Sequence, residues 1–160
     1  MEKTTKLSAD LGALLAKHGH LLTTAESCTG GGVATAITDI AGSSAWLDRA
    51  FVTYSNEAKM EMLGVQASTL EAHGAVSEPV VIEMVQGAIK NSDATIGVSI
   101  SGIAGPGGGS EEKPVGMVCF AFADNQSWQQ VETMHFTGDR AEVRKKAVEH
   151  ALTQLYQHLL

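Results

Sequence analysis

The sequence predicts an α/β fold: a three-layer α/β/α sandwich around a mixed, mainly parallel sheet. Three observations predict it. Segments of helical and strand-like periodicity alternate along most of the chain. Two glycine-rich stretches, Gly30-Gly31-Gly32 and Gly105-Pro106-Gly107-Gly108-Gly109, each follow a short apolar segment, as loops at the carboxyl edge of a sheet do. Two consecutive strand-like segments precede the last helix, which adds an antiparallel hairpin to the parallel part.

Taken in order, Thr4 to His18 set Leu7, Leu11, Leu14 and Leu15 on one helical face, and Gly19 stops that helix. Leu21 to Ala25 reads as a buried strand that turns at Glu26-Ser27-Cys28-Thr29 and the glycines into a helix carrying Val33, Ala34, Ala36, Ile37 and Ile40. Trp46 to Ser55 is extended, with Phe51, Val52 and Tyr54 as β-formers. A short helix follows from Asn56, its expected N-cap, to Leu63, closed by Gly64. Ala67 to His73 forms another, opened by Ser68 and stopped by Gly74. Ser77-Glu78-Pro79 starts a helix that runs to about Ile89, with Ser77 as cap and Pro79 in the first turn. Ala94 to Ile100 is a buried strand, Gly116 to Ala123 another, and Trp128 to Phe136 its hairpin partner. Asp139 opens the last helix, whose apolar side carries Val143, Ala147, Val148, Leu152, Leu155 and Leu159.

With 160 residues, 44% hydrophobic and 18% charged, the chain fits one domain, residues 1–160, and excludes a disordered tail. Aromatics are only 5%, so aliphatic side chains must build the core. The formal charge of −7 and the lack of a basic stripe argue against nucleic acid as a partner. Cys28 and Cys119 form no C-x-x-C pair. The N-terminal stretch carries charges throughout and no apolar run is long enough for a bilayer, so the expectation is a cytoplasmic protein without membrane contact. His18 and His20 lack an acidic or cysteine neighbour, so no metal site is expected.

Chemistry concentrates at three places. A hydroxyl on the turn Thr24-Ala25-Glu26-Ser27-Cys28-Thr29-Gly30-Gly31 would lie at the sheet edge beside the N–H groups of a helix start, which suit an anion or an oxyanion. Ser27 or Thr29 reads equally well as a plain helix cap. Cys28 is a rival nucleophile, though a small buried packing residue is the better reading for it. The histidines offer no evident partner for a serine, so no Ser-His-Asp triad is expected. A second strand ends at Tyr54, and the following helix could aim Lys59 at the same edge; a solvated lysine is the commoner case, and a base needs its pKa lowered. The third place is Ser101-Gly102-Ile103-Ala104-Gly105-Pro106-Gly107-Gly108, which matches neither Walker A nor G-x-G-x-x-G but permits a nest of amides for a phosphate or ribose.

These stretches, with Val52-Thr53-Tyr54-Ser55-Asn56-Glu57-Ala58-Lys59, Gly74-Ala75-Val76-Ser77, Lys113-Pro114-Val115-Gly116 and Gly138-Asp139-Arg140, resemble the CinA C-terminal domain family over nearly the whole chain. The resemblance implies hydrolysis of the carboxamide of nicotinamide mononucleotide to nicotinic acid mononucleotide and ammonia, in pyridine nucleotide salvage. It implies no cofactor or metal, a small nucleotide as partner, and a homo-oligomer. By the same resemblance Ser27 is the nucleophile, Lys59 the base and Tyr54 a helper that relays the proton or holds the lysine. Thr29, Gly30 and Gly31 are then expected at the oxyanion, and Ser101, Gly102, Gly105 and Gly107 at the rest of the substrate, although the two loops could be exchanged. Arg49 and Arg140 are candidate phosphate partners. The competing expectations are a non-catalytic nucleotide-binding paralogue and, more weakly, a DNA-damage-associated partner protein.

Overall fold

The computed structural model describes residues 2–160. Its centre is a five-stranded sheet of order β2-β1-β3-β4-β5: β1 (Leu22–Glu26), β2 (Leu47–Val52), β3 (Ile96–Gly102), β4 (Met117–Asp124) and β5 (Gln129–His135). β1 pairs in parallel with β2 and β3, and β4 pairs antiparallel with β3 and β5. Four strands therefore run one way and β4 alone runs against them, the mixed sheet the sequence predicts. Helices α1 (Lys3–Lys17), α2 (Gly32–Thr38) and α6 (Arg140–Leu159) cover one face. Helix α5 (Glu78–Lys90) covers the other, flanked by α3 (Asn56–Leu63) and α4 (Ala67–His73).

The strands sort their side chains by size. On the α1/α6 face stand Leu22, Ile96, Val98, Ile100, Val118, Phe120 and Phe122; on the α5 face stand Ala25, Cys119, Ala121 and Ala123, with Gly97 and Ser99 between them. Strand alternation makes each face a separate selection, and the small face lets α5 lie close to the sheet. Ser99 Oγ donates to the Val81 carbonyl at 2.5 Å, a bond between strand and helix backbone that only such a close approach permits. Gly87 continues the same principle outward, since a Cβ there would overlap the Leu63 carbonyl at the end of α3.

Three cap assignments differ from the sequence reading. Ser55, not Asn56, caps α3, its Oγ accepting from the Ala58 N–H at 3.0 Å; this leaves the Asn56 side chain free to face outward. Ser68 does not open α4; Glu83 of α5 takes the Gln66 N–H at 2.8 Å and the Thr69 hydroxyl at 2.6 Å. Ser77 occupies the cap position of α5, but its hydroxyl donates to the Gly74 carbonyl instead. Asp139 does cap α6 and forms a full capping box with Glu142.

Candidate active site

The parallel register of β1 and β2 aligns Glu26 with Val52, so the two strands end together at one sheet edge. β1 runs straight into Ser27, whose N–H is fixed by the Ile100 carbonyl of β3 at 3.0 Å. β2 runs through Thr53 and Tyr54 into α3, whose Ser55 cap sets the direction of the first turn. Lys59 lies one turn in and points back. Its amine sits 3.1 Å from Ser27 Oγ, 2.9 Å from the Thr53 carbonyl and 3.3 Å from the Tyr54 carbonyl.

Lys59 is 1% exposed and has no carboxylate among these partners. Burial disfavours the ammonium and pulls its pKa below the ordinary lysine value, outweighing an opposing influence from Cys28. A neutral amine has two N–H groups and one lone pair. With the two carbonyls accepting the protons, the lone pair is left for the Ser27 hydroxyl. Cys28 is affected oppositely: burial pushes its thiol up to about 11, so it stays protonated and is a poor nucleophile at neutral pH.

These groups open onto a cavity of about 260 Å³. Its walls are Ser27, Cys28 and Lys59 at the base, Tyr54 and Asn56 from the β2–α3 junction, Ala75 and Val76 from the segment before α5, and the loop after β3. Of the residues read from that loop, Ser101, Gly102, Gly105 and Gly107 all line the cavity. Gly105 has φ +85° and packs against Val115, a position that only glycine fills without strain. Arg140, the first residue of α6, brings the one guanidinium among the lining residues; it donates to the Gly105 carbonyl at 2.8 Å and to the Tyr54 hydroxyl at 3.2 Å. No carboxylate lines this cavity among the described residues.

Other expected residues stand elsewhere. Tyr54 is 62% exposed, and its hydroxyl bonds to Arg140; what it presents to Lys59 is its main-chain carbonyl. Thr29, Gly30 and Gly31 do not line the cavity. Two amides of this turn are used internally: the Gly30 N–H goes to the Ser27 carbonyl and the Gly32 N–H to the Thr29 carbonyl, both at 3.0 Å. Arg49 lies back along β2 with Asp48, Asp93 and the Asn91 carbonyl, away from the cavity.

Two residues that hold the nucleophile turn escaped the sequence reading. Glu26 is fully buried, and its carboxylate accepts from the Thr29 hydroxyl at 2.6 Å and from the Val33 and Ala34 N–H groups at 2.9 and 3.1 Å. The free amides of α2 therefore serve Glu26 rather than an oxyanion. A carboxylate inside a buried strand was the available signal. Arg144 of α6 donates to the Cys28 carbonyl at 3.1 Å and to the Thr29 carbonyl at 3.2 Å, and nothing in sequence spacing announces a contact across 116 residues.

Comparison with known proteins finds relatives along nearly the whole chain. The family model described as the CinA C-terminal domain matches residues 4–159. A protein of Escherichia coli (strain K12) named nicotinamide-nucleotide amidohydrolase PncC is 59% identical over 155 residues, 97% of this chain and 94% of its own. One of the same name from Enterobacter agglomerans is 56% identical over 92% of this chain and 90% of its own. The crystal structure of the competence/damage inducible protein CihA from Agrobacterium tumefaciens superposes with a TM-score of 0.96 at 43% identity, over 98% of this chain and 96% of that one. A family match over nearly the whole chain, sequence similarity from end to end and close structural superposition lead to one assignment: the chain belongs to the CinA C-terminal domain family.

Proposed function

We propose that this chain is an amidohydrolase that converts nicotinamide mononucleotide to nicotinic acid mononucleotide and ammonia, using Ser27 as nucleophile and Lys59 as base. The observation that carries the reading is the buried amine of Lys59, 3.1 Å from Ser27 Oγ, with two carbonyls turned to its protons. Its substrate is suggested by the amidohydrolase names of relatives at 56–59% identity.

In the reaction Ser27 Oγ attacks the carboxamide carbon as its proton passes to Lys59. The C–Oγ bond forms and the carbonyl oxygen takes the negative charge. Among the described residues the N–H groups of Cys28 and Thr29 donate to no other group of the chain, so the turn itself supplies oxyanion donors. Lys59 then returns the proton to the departing nitrogen, the C–N bond breaks and ammonia leaves. Water, deprotonated by the same amine, cleaves the acyl-enzyme. Tyr54 holds Lys59 through its carbonyl and steadies Arg140 through its hydroxyl. Ser101, Gly102, Gly105 and Gly107 shape the far wall, and Arg140 receives the phosphate.

We place the reaction in pyridine nucleotide salvage in the cytoplasm, with no added cofactor. A homo-oligomer is supported by the exposed apolar side chain of Val52 at the end of the edge strand β2 and the exposed ring of Tyr54 just beyond it, and sedimentation of the purified protein tests it. Among the described residues no helix is long and apolar enough to cross a membrane. The decisive experiment is ammonia release from nicotinamide mononucleotide. The parent protein releases it and Ser27→Ala does not; equal release by both ends the serine mechanism, and binding without release by the parent favours a non-catalytic nucleotide-binding protein.

A further inference from the structure

The nucleophile turn contains three peptide groups whose orientation decides where its N–H donors point. A trans peptide is planar, so the carbonyl of one residue and the N–H of the next point in opposite directions. The Ser27 carbonyl is fixed by the Gly30 N–H at 3.0 Å. The Cys28 carbonyl is fixed from outside the turn by Arg144 Nε at 3.1 Å, and the Thr29 carbonyl accepts both from Arg144 Nη2 at 3.2 Å and from the Gly32 N–H at 3.0 Å. Arg144 is half-buried, does not line the cavity, and makes no ion pair among the described residues. Among the described residues its planar fork thus serves two main-chain acceptors and no other hydrogen-bond partner.

Glu26 already takes the Val33 and Ala34 amides of α2, so that helix has no free donor to lend at its start. Within the turn the N–H groups of Cys28, Thr29 and Gly31 have no acceptor among the described residues, and those of Cys28 and Thr29 are nearest Ser27 in the chain. With the Cys28 carbonyl drawn toward α6, the Thr29 N–H is turned the other way.

We propose that Arg144 is a positioning residue: by holding the Cys28 and Thr29 carbonyls from α6, it turns the Thr29 N–H toward the reacting carbonyl beside Ser27. The inference rests on the proposed serine mechanism and adds to it a device that acts on the transition state. An amide aimed by Arg144 meets charge that develops only as the C–Oγ bond forms, so its loss lowers kcat and leaves KM nearly unchanged.

The test is steady-state ammonia release by Arg144→Ala and Arg144→Lys, with thermal melting of each. Arg144→Ala is expected to lose kcat by at least about tenfold, below the cost of deleting an oxyanion donor outright, with KM within about twofold. Arg144→Lys can serve one carbonyl but not both, and its kcat is expected between those of the parent and Arg144→Ala. A merely structural arginine would give a lower melting temperature with kcat unchanged below it, and that result overturns the proposal. So does an equal loss in both variants. If the parent protein releases no ammonia, the proposed function fails, and the crystal structure of Arg144→Ala still decides the inference: an unchanged Cys28–Thr29 peptide refutes it.

Discussion

A buried lysine without a carboxylate is costly as an ammonium and cheap as an amine, and that difference is what makes Lys59 usable as a base. Burial lowers its pKa, so the neutral form gains population as pH rises through a value below the ordinary lysine range. The sign follows for activity: kcat/KM climbs with pH up to that lowered pKa and levels above it. A pH–rate profile of ammonia release tests this, and a rise that continues to the pKa of a solvated lysine contradicts it. Lys59→Met is expected to lose about 10²–10⁴-fold in kcat, the usual worth of general acid–base catalysis, and to lose the rising limb with it. The same chemistry predicts the reverse for Cys28. Its thiol stays protonated up to about 11, so Cys28→Ala keeps ammonia release. Abolition of activity in that variant would transfer the nucleophile's role to the thiol.

At the scale of elements, Lys59 reaches Ser27 because three packing decisions agree. The parallel register ends β1 and β2 together, the Ser55 cap starts α3, and Gly87 lets α5 lie against the end of α3. Gly87→Ala pushes a methyl group into the Leu63 carbonyl. It is expected to cost about 1–3 kcal/mol of stability and, by displacing α3, to lower ammonia release below the melting transition. Full activity with lowered stability would show that α3 does not transmit the shift. The elements were mostly legible in sequence: the apolar face of α6 and the Asp139 cap announce themselves, and so does the turn after β1. The cap of α3 was not, because Ser55 and Asn56 are neighbouring residues of nearly equal capping power and only backbone direction separates them. Glu83 at the start of α4 was also hidden, since a cap supplied by another helix leaves no local signature. The meeting of Ser27 with Lys59 depends on strand order, which periodicity does not encode; spacing offers Lys59 at the same edge only beside the commoner solvated lysine, and the family resemblance is what pairs it with Ser27.

Considered as a whole molecule, the chain carries a formal charge of −7, and the proposed function requires it to admit an anionic mononucleotide. The conflict is resolved locally. Among the described residues the cavity is lined by no carboxylate, and Arg140 is anchored at its wall by Gly105 and Tyr54. A ligand that binds only the folded state stabilises it by about 2.7 kcal/mol at a hundred times its Kd. For a domain of this size that corresponds to a rise of roughly 5–10 °C in melting temperature. Ser27→Ala, which under the proposed mechanism does not turn the substrate over, is the form in which to measure it. Nicotinamide mononucleotide at high concentration is expected to give a shift of that order, and the riboside, which lacks the phosphate, a much smaller one at the same concentration. Adding Arg140→Ala should erase most of the difference between the two ligands. If the double variant still prefers the mononucleotide as strongly as Ser27→Ala does, the phosphate lies elsewhere, and the amides of the Ser101–Gly108 loop become its site.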